Sequence, residues 1–481
     1  MLHTHLPWVA HAGVWPVGEE WLHQAYTGSW RPVLALLREL AGEGRRDVLT
    51  LGVTPVLAAM LDDPYCLREI HRWAGGWQLR AAEAAPRLPE LARREFRAAT
   101  ECLADLESRW LTGGLSGVLR PLLDAGVVEL LGGPAAHPFQ PLLDPRVAAA
   151  QLATGLDDAR VRFGAAPAGI WAPECGYGPG LEHLYAAAGV AHFVADSPAL
   201  HGDTAAARPV GDSGVLVFGR DLEVTYRVWS PRAGYPGAPD YRDFHTYDHA
   251  SGFRPARVTG RHVPPEAKRP YEPDLAAAAV RRDAADFVDA VHRRLRDLGP
   301  GALVVACFDT ELFGHWWHEG PAWLGAVLRA LPAAGIRVTT LRGAAEAGHV
   351  GPAVQLPPSS WGTGKDWRVW TGAAVDDLTV LAKGVQDRLL STVDAHSGPV
   401  RDPALDQLAR EAFLALSSDW AFMVTKDSAA DYARDRAHGH AGRVHALADL
   451  LDTGDRAGAL ALAARLRAVD GPFGHLDART I

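Results

Sequence analysis

Short apolar runs alternate with helical patterns through the first three quarters of the chain. In RPVLALLRELAGE, the spacing of Leu34, Leu37 and Leu40 predicts a helix with one buried stripe. The short apolar runs between the helical patterns are almost continuously apolar. This indicates strands that are buried on both faces, which is typical of parallel strands covered by helices. A β/α barrel or a related parallel-sheet fold is therefore the predicted class. Besides a short run at the start of the chain, the predicted strands begin at Asp47, Val127, Ala168, His192, Ala302 and Ile336.

Two regions interrupt this alternation, and a third ends it. Residues 78–124 carry helical patterns over a length that exceeds a simple crossover. Residues 201–273 are rich in Gly and Pro but also hold many aromatics, so we expect an inserted subdomain or lid rather than a linker. After Gly372 only helical patterns remain. We therefore predict a barrel domain over 1–372 with these two insertions, and a C-terminal helical domain over 373–481.

Composition narrows the class of protein. The 481 residues are 48% hydrophobic, which suits a sizeable core, and the formal net charge is −9. There is no dense Lys/Arg block, which argues against nucleic acid or an anionic membrane as a partner. We expect neither a signal peptide nor a membrane span. The cysteines are scattered without a CxxC, which predicts buried, reduced thiols in a cytoplasmic protein: Cys66, Cys102, Cys175 and Cys307.

Two apolar runs end in a carboxylate. IWAPECGYGPGLE places Glu174 after one predicted strand, and ALVVACFDTELFGHWW places Asp309 after another. A retaining glycosidase or transglycosylase needs such a pair, one carboxylate as the nucleophile and one as the acid/base. Asp309 taken alone could instead cap a helix that begins near Glu311. Glu311 is itself a second candidate acid.

Histidines and tryptophans accompany these carboxylates. His3 and His5 alternate, so they face the same side of a first strand that we expect to be very short. They could bind sugar hydroxyls and orient the nucleophile, ligate a metal as in metal hydrolases, or be structural. His137 follows the strand VVELLGG, and the ends of barrel strands form the active face. Many of the sixteen tryptophans lie in Gly- and His-rich segments near these motifs, where they could stack on sugar rings or simply pack.

Taken together, HTHLP, the His137 segment, WAPECGY, FDTELFGHWW and the segment from Trp361 to Trp370 resemble, in order, the five signature regions of glycoside hydrolase family 57. Within that family, TELFGHWW and SSDWAFM resemble most the 1,4-α-glucan branching enzymes. The resemblance implies a distorted, TIM-like (β/α)7 barrel with an inserted helical subdomain and a C-terminal α-helical domain. It also implies a retaining double displacement that uses neither a metal nor an organic cofactor.

The resemblance assigns roles to individual residues. It implies that Glu174 is the nucleophile and Asp309 the general acid/base. Tyr235, in SPRAGYPGAPDYRDFH, lies in a segment that resembles a loop thought to cover the site and to disfavour attack by water. With Tyr235, the residues expected to bind substrate are His3, His5, His137, Trp229, Trp361, Trp370 and Asp419.

The leading hypothesis is transfer of an α-1,4-glucan segment to a glucose 6-hydroxyl, which creates an α-1,6 branch. An α-amylase or a 4-α-glucanotransferase could use the same pair of carboxylates. A non-catalytic glucan-binding protein and a metal-dependent deacetylase are alternatives of other classes, the latter because of His3 and His5. We expect an α-glucan polymer as substrate and a monomer or homodimer.

Overall fold

A computed structural model describes residues 1–230 and 233–481. At its centre lie the strands β1 Leu2–Thr4, β2 Leu49–Val53, β3 Val128–Gly132, β4 Gly169–Ile170, β5 His192–Asp196, β6 Arg208–Pro209, β7 Leu216–Arg220 and β8 Phe308–Asp309. Their order in the sheet is β6-β7-β5-β4-β3-β2-β1-β8, and all neighbours are parallel except β6 and β7. The N–H of Asp221, after β7, donates to the carbonyl of Val305, before β8, at 2.8 Å. This bond joins the two ends of the sheet, and the predicted distorted (β/α)7 barrel is confirmed.

Helices surround the barrel and then form a bundle. On the helix Arg31–Gly42 the predicted stripe of Leu34, Leu37 and Leu40 is buried. The helices are α1 Glu19–Ala25, α2 Arg31–Gly42, α3 Pro55–Asp62, α4 Pro64–Ala84, α5 Pro89–Asp105, α6 Leu111–Asp124, α7 Pro145–Phe163, α8 Leu181–Ala187, α9 Leu222–Val228, α10 Pro273–Leu298, α11 Gly320–Ala333, α12 Leu341–Glu346, α13 Arg368–Thr371, α14 Asp376–His396, α15 Pro403–Ala415, α16 Ser418–Thr425, α17 Ala430–Asp452 and α18 Arg456–Arg467.

The last of these helices form a C-terminal bundle that also reaches the barrel. Every residue of α15 from Ala404 to Ala415 is buried, because α14, α17 and α18 pack around it. The first turn of α16 lies against the loop after β3, where the Ser418 N–H donates to the carbonyl of His137 at 2.9 Å. The bundle therefore contributes directly to the face of the barrel at which the strands end.

Two expectations about strands were wrong. The segment 336–340 of IRVTTL pairs with no strand among the described residues; it is an extended lead into α12, whose first N–H groups bind the Thr50 hydroxyl and the Glu129 carboxylate. Since the barrel is already closed beside Val305, no edge is left for it. Conversely, β7 lies inside the segment 201–273, and its five residues were hidden by the surrounding Gly- and Pro-rich sequence.

Two further expectations can be compared with the structure. No helix within the described residues is long and apolar enough to cross a membrane. All four cysteines lie in the described part of the chain, where they are buried and unpaired, as predicted.

Candidate active site

Glu174 is held in an unusual backbone conformation at the end of β4. It lies in the short 3-10 turn Pro173–Cys175 with φ 61° and ψ 18°. Left-handed backbone at a non-glycine residue costs on the order of 1–3 kcal/mol and is concentrated at functional sites. The Trp361 N–H, which donates to the Glu174 carbonyl at 2.8 Å, helps to fix this turn. The side chain thereby points into a buried position on the strand-end face, with 6% of its surface exposed.

Each oxygen of the Glu174 carboxylate accepts a hydrogen bond. Trp361 donates its indole N–H to Oε2 at 2.8 Å, and Ser418 donates its hydroxyl to Oε1 at 2.8 Å. Burial first, and then the charge of Asp419, raise the pKa of Glu174 to about 7, against the lowering effect of these two donors. The pocket thus fixes the carboxylate's orientation and keeps its proton affinity near neutrality.

The Ser418 hydroxyl is itself positioned by two aromatic residues. His137 Nδ1 lies 3.0 Å from Ser418 Oγ. Because Ser418 gives its hydrogen to Glu174, Nδ1 of His137 must be the donor, so this nitrogen carries a hydrogen. Burial, followed by the charge of His5, keeps the pKa of His137 well below its usual value, which favours the neutral ring. Trp370 is 3% exposed, stacks on Phe139 at 4.2 Å and donates its N–H to the Ser418 carbonyl at 3.2 Å.

Asp309 stands at the end of β8 in different surroundings. It occupies the N-cap position of the short 3-10 turn Thr310–Leu312, but its side chain makes no capping hydrogen bond, so capping does not account for this carboxylate. The residue is exposed although protein surrounds it on most sides, which places it on the wall of an open cleft. Burial raises its pKa to about 6, while Arg220 and His5 act to lower it. Next to it, burial and the Asp309 charge raise the pKa of Glu311 to about 8.

Three histidines form a stack beside the carboxylates. His3 lies 4.5 Å from the ring of Trp171 and 5.3 Å from that of His137, and the His5 and His137 rings are 3.7 Å apart. His5 Nε2 pairs with the Asp419 carboxylate at 2.9 Å. Burial alone would lower the pKa of His5 and raise that of Asp419, but this pairing raises the former and holds the latter at about 2. His5 and Asp419 therefore form an ion pair.

Within this site, three residues could hold a metal ion: His5, His137 and Asp419. One ligand atom from each lies within 4.8 Å of the others. All three already have protein partners, because His5 also binds the Thr54 hydroxyl at 2.9 Å and Asp419 also accepts from Ser417 at 2.6 Å. The two imidazoles lie nearly parallel, at 21°, so they face each other rather than a common centre. The arrangement favours a hydrogen-bonded network.

A second polar group, missed from the sequence, lies behind Trp361. Arg220 and Asp196 end β7 and β5, and both are buried. Arg220 lies over the Trp361 ring at 5.4 Å, and its NH1 is 3.7 Å from Asp196. Asp196 also binds Lys365 at 2.6 Å, and Lys365 donates to the Trp361 carbonyl at 3.0 Å. A charged residue ending each of two buried strands was the signal that could have found this group.

Trp229 and Tyr235 lie on either side of Pro231 and Arg232, the part of the predicted covering loop that falls outside the described residues. Trp229 follows α9 and is 48% exposed. The Tyr235 hydroxyl donates to Asp286 on α10 at 2.5 Å, and its ring lies 5.8 Å from that of Trp323. These contacts anchor Tyr235 against the outer helices.

Comparisons with known proteins identify the family of this chain. The model of glycosyl hydrolase family 57 matches residues 1–354. The chain belongs to glycosyl hydrolase family 57. A second family model, described as the C-terminal region of 1,4-alpha-glucan branching enzyme, matches residues 383–480 of the same chain.

Individual members of the family are similar over the whole chain. This chain is 55% identical to a probable 1,4-alpha-glucan branching enzyme of Mycobacterium tuberculosis, over 100% of this chain and 97% of that protein. The crystal structure of a GH57-type branching enzyme from Pyrococcus horikoshii superposes with a TM-score of 0.94 at 32% identity, covering 100% of this chain and 95% of the other. The crystal structure of the α-amylase AmyC from Thermotoga maritima superposes with a TM-score of 0.85 at 28% identity, covering 100% of this chain and 97% of the other.

Proposed function

We propose that this family 57 enzyme is a 1,4-α-glucan branching enzyme. The observation that carries the proposal is the C-terminal region, which matches the branching-enzyme model and supplies Ser418 and Asp419 to the site around Glu174. A helical bundle that merely flanked the barrel would not donate a hydrogen bond to a strand-end carboxylate. The substrate is then an α-1,4-glucan, and the product carries α-1,6 branches.

Glu174 is the proposed nucleophile. Its carboxylate attacks the anomeric carbon, the glycosidic C–O bond breaks, and Asp309 gives a proton to the departing oxygen. The donors Trp361 and Ser418 fix the carboxylate before the attack, so little reorganisation is needed during the reaction. In the second half, Asp309 takes the proton of the acceptor's 6-hydroxyl as that oxygen displaces Glu174 and forms the new bond.

Substrate binding establishes the protonation states that these roles require. In the free site, burial raises the pKa of both carboxyls, that of Asp309 to about 6 and that of Glu174 to about 7. Glu174 is already buried, whereas Asp309 faces an open cleft, so a bound glucan removes water mainly from Asp309. This desolvation raises the pKa of Asp309 selectively. Asp309 therefore enters the first step protonated.

The histidine stack and its partners hold the sugar rather than a metal. His3, His5, His137 and Asp419 are proposed to bind the hydroxyls of the sugar next to Glu174, and Trp361 to limit one side of the site. Trp370 acts through Ser418, and Trp229 and Tyr235 belong to the region that covers the acceptor chain. We further propose a cytoplasmic monomer or homodimer without a cofactor; activity that persists in EDTA would exclude the deacetylase alternative.

Proton NMR of amylose incubated with the purified enzyme tests the activity. Counting α-1,6 and α-1,4 anomeric signals together with free reducing ends separates the candidates. New α-1,6 signal with few new reducing ends is the expected result. The likeness to the Thermotoga maritima α-amylase makes hydrolysis the second candidate, and reducing ends without α-1,6 signal would favour it.

A further inference from the structure

The two tryptophans of FGHWW point to opposite sides of the loop after β8. Trp317 is 1% exposed and packs against Tyr241 and Trp323 in the core. Trp316 is 47% exposed. A single exposed aromatic needs no explanation, but a contiguous exposed group of them is typical of a binding surface.

Trp316 belongs to a group of aromatic residues in which Tyr247 is also exposed and Phe244 is half-buried. Phe244 lies 5.2 Å from its ring at 37°, and the His315 ring stands edge-on to both. Arg254 lies 4.2 Å over Phe244 and 5.2 Å over Tyr247, and its Nε–H donates to the Phe244 carbonyl at 2.8 Å. Tyr247 is 43% exposed. Arg254 therefore holds two of the rings in place, and we call Trp316, Phe244 and Tyr247 the aromatic platform.

The position of the platform relates it to Asp309. The Trp316 N–H donates to the carbonyl of Glu311 at 3.1 Å, and Glu311 interacts electrostatically with Asp309. Under the proposed function, Asp309 protonates the oxygen of the departing chain and later deprotonates the acceptor. The part of the cleft next to the acid is where both of these chains must lie.

We propose that the aromatic platform binds the α-glucan chain on the acid side of the cleft, first the departing chain and then the acceptor. The inference rests on the proposed function and deepens it. A pyranose ring presents a face of C–H groups that fits the π-face of an aromatic ring, while its hydroxyls stay in water. Rigid aromatic side chains provide this contact at a small cost in conformational entropy.

The test compares Trp316→Ala and Tyr247→Ala with Phe96→Ala, a control on α5 whose aromatic ring is 43% exposed. KM and kcat for amylose are measured along with retardation in native gels containing amylopectin. We expect each platform variant to raise KM about five- to tenfold, since tenfold corresponds to about 1.4 kcal/mol and aromatic contacts contribute about that much. We expect kcat to change less than about twofold, Trp316→Phe to retain most of the affinity, and the control to match the parent.

The outcomes separate the platform from the proposed activity. If the parent enzyme branches amylose and both platform variants behave like the control, the proposal that the platform binds glucan is wrong. If the parent is retarded by amylopectin but forms no α-1,6 bonds, and Trp316→Ala abolishes the retardation, the branching activity is wrong and the platform stands. A change from dimer to monomer by light scattering, with KM unaltered, would make this surface a contact between copies and overturn the proposal. Circular dichroism identifies any variant that fails to fold. If Trp316→Ala is such a variant, the KM of Tyr247→Ala decides whether the platform binds glucan.

Discussion

The surroundings of Glu174 and Asp309 differ more than their similar positions at strand ends suggest. Glu174 is buried, and both of its oxygens accept hydrogen bonds from groups that the barrel loops and the C-terminal bundle fix in place. Asp309 faces the cleft, and its charge environment is set mainly by Arg220 and His5. A nucleophile must be oriented before the reaction, whereas an acid/base must exchange protons with substrate and water. Under the proposed function, this contrast suits one carboxylate to the role of nucleophile and the other to that of acid/base.

Removal of either carboxylate should have the largest effect. Glu174→Gln keeps the shape but removes the proposed nucleophile, so kcat should fall by about 10⁴-fold or more. Asp309→Asn should cost about 10²- to 10⁴-fold on amylose, because only proton transfer is lost. Initial rates of both variants, with circular dichroism as the control for folding, check this order. Equal losses on a substrate whose leaving group needs no proton would contradict the division of roles.

Loss of the Ser418 hydroxyl should have an intermediate effect. Ser418→Ala removes a hydrogen bond to a charged group, worth about 1.5–3 kcal/mol, so kcat should fall about 10- to 100-fold. Without this donor the pKa of Glu174 rises further, and the acidic limb of the kcat profile should move to higher pH. Ser391→Ala, on the outer face of α14, is the matched control and should change neither value. An unmoved acidic limb would mean that Ser418 does not act on Glu174.

Substitution of Arg220 should have the smallest of these effects, and it should act on Asp309 rather than on Glu174. Arg220→Met removes a positive charge that lowers the pKa of Asp309. The acid then keeps its proton to higher pH, so the basic limb of the kcat profile should move upward, while Arg220→Lys should leave it near its original position. Other charged groups near this pair are His5, Glu311, Asp196 and Lys365, and they are unchanged in both variants. If both variants lower kcat alike without moving the limb, Arg220 only supports Trp361.

The sequence predicted the parts of this contrast that depend on strand ends. Apolar runs followed by Glu174 and Asp309 indicated the barrel and its carboxylates, and the resemblance named most of the polar neighbours. It did not reveal that Ser418 binds Glu174, because 244 residues separate them and only the packing of α16 on the His137 loop brings them together. Arg220 was missed because β7 is short and lies in Gly- and Pro-rich surroundings. The burial of Trp370 was equally hidden, since it depends on stacking with Phe139.

Trapping the covalent intermediate tests the division of roles most directly. α-Maltosyl fluoride has a leaving group that needs no proton, so Asp309→Ala should still complete the first displacement and then stall. Mass spectrometry of the digested protein should find one maltosyl group as an ester on the peptide that contains Glu174, and none in Glu174→Gln. A maltosyl group on the peptide that contains Asp309, or persistent labelling of Glu174→Gln, would contradict the account.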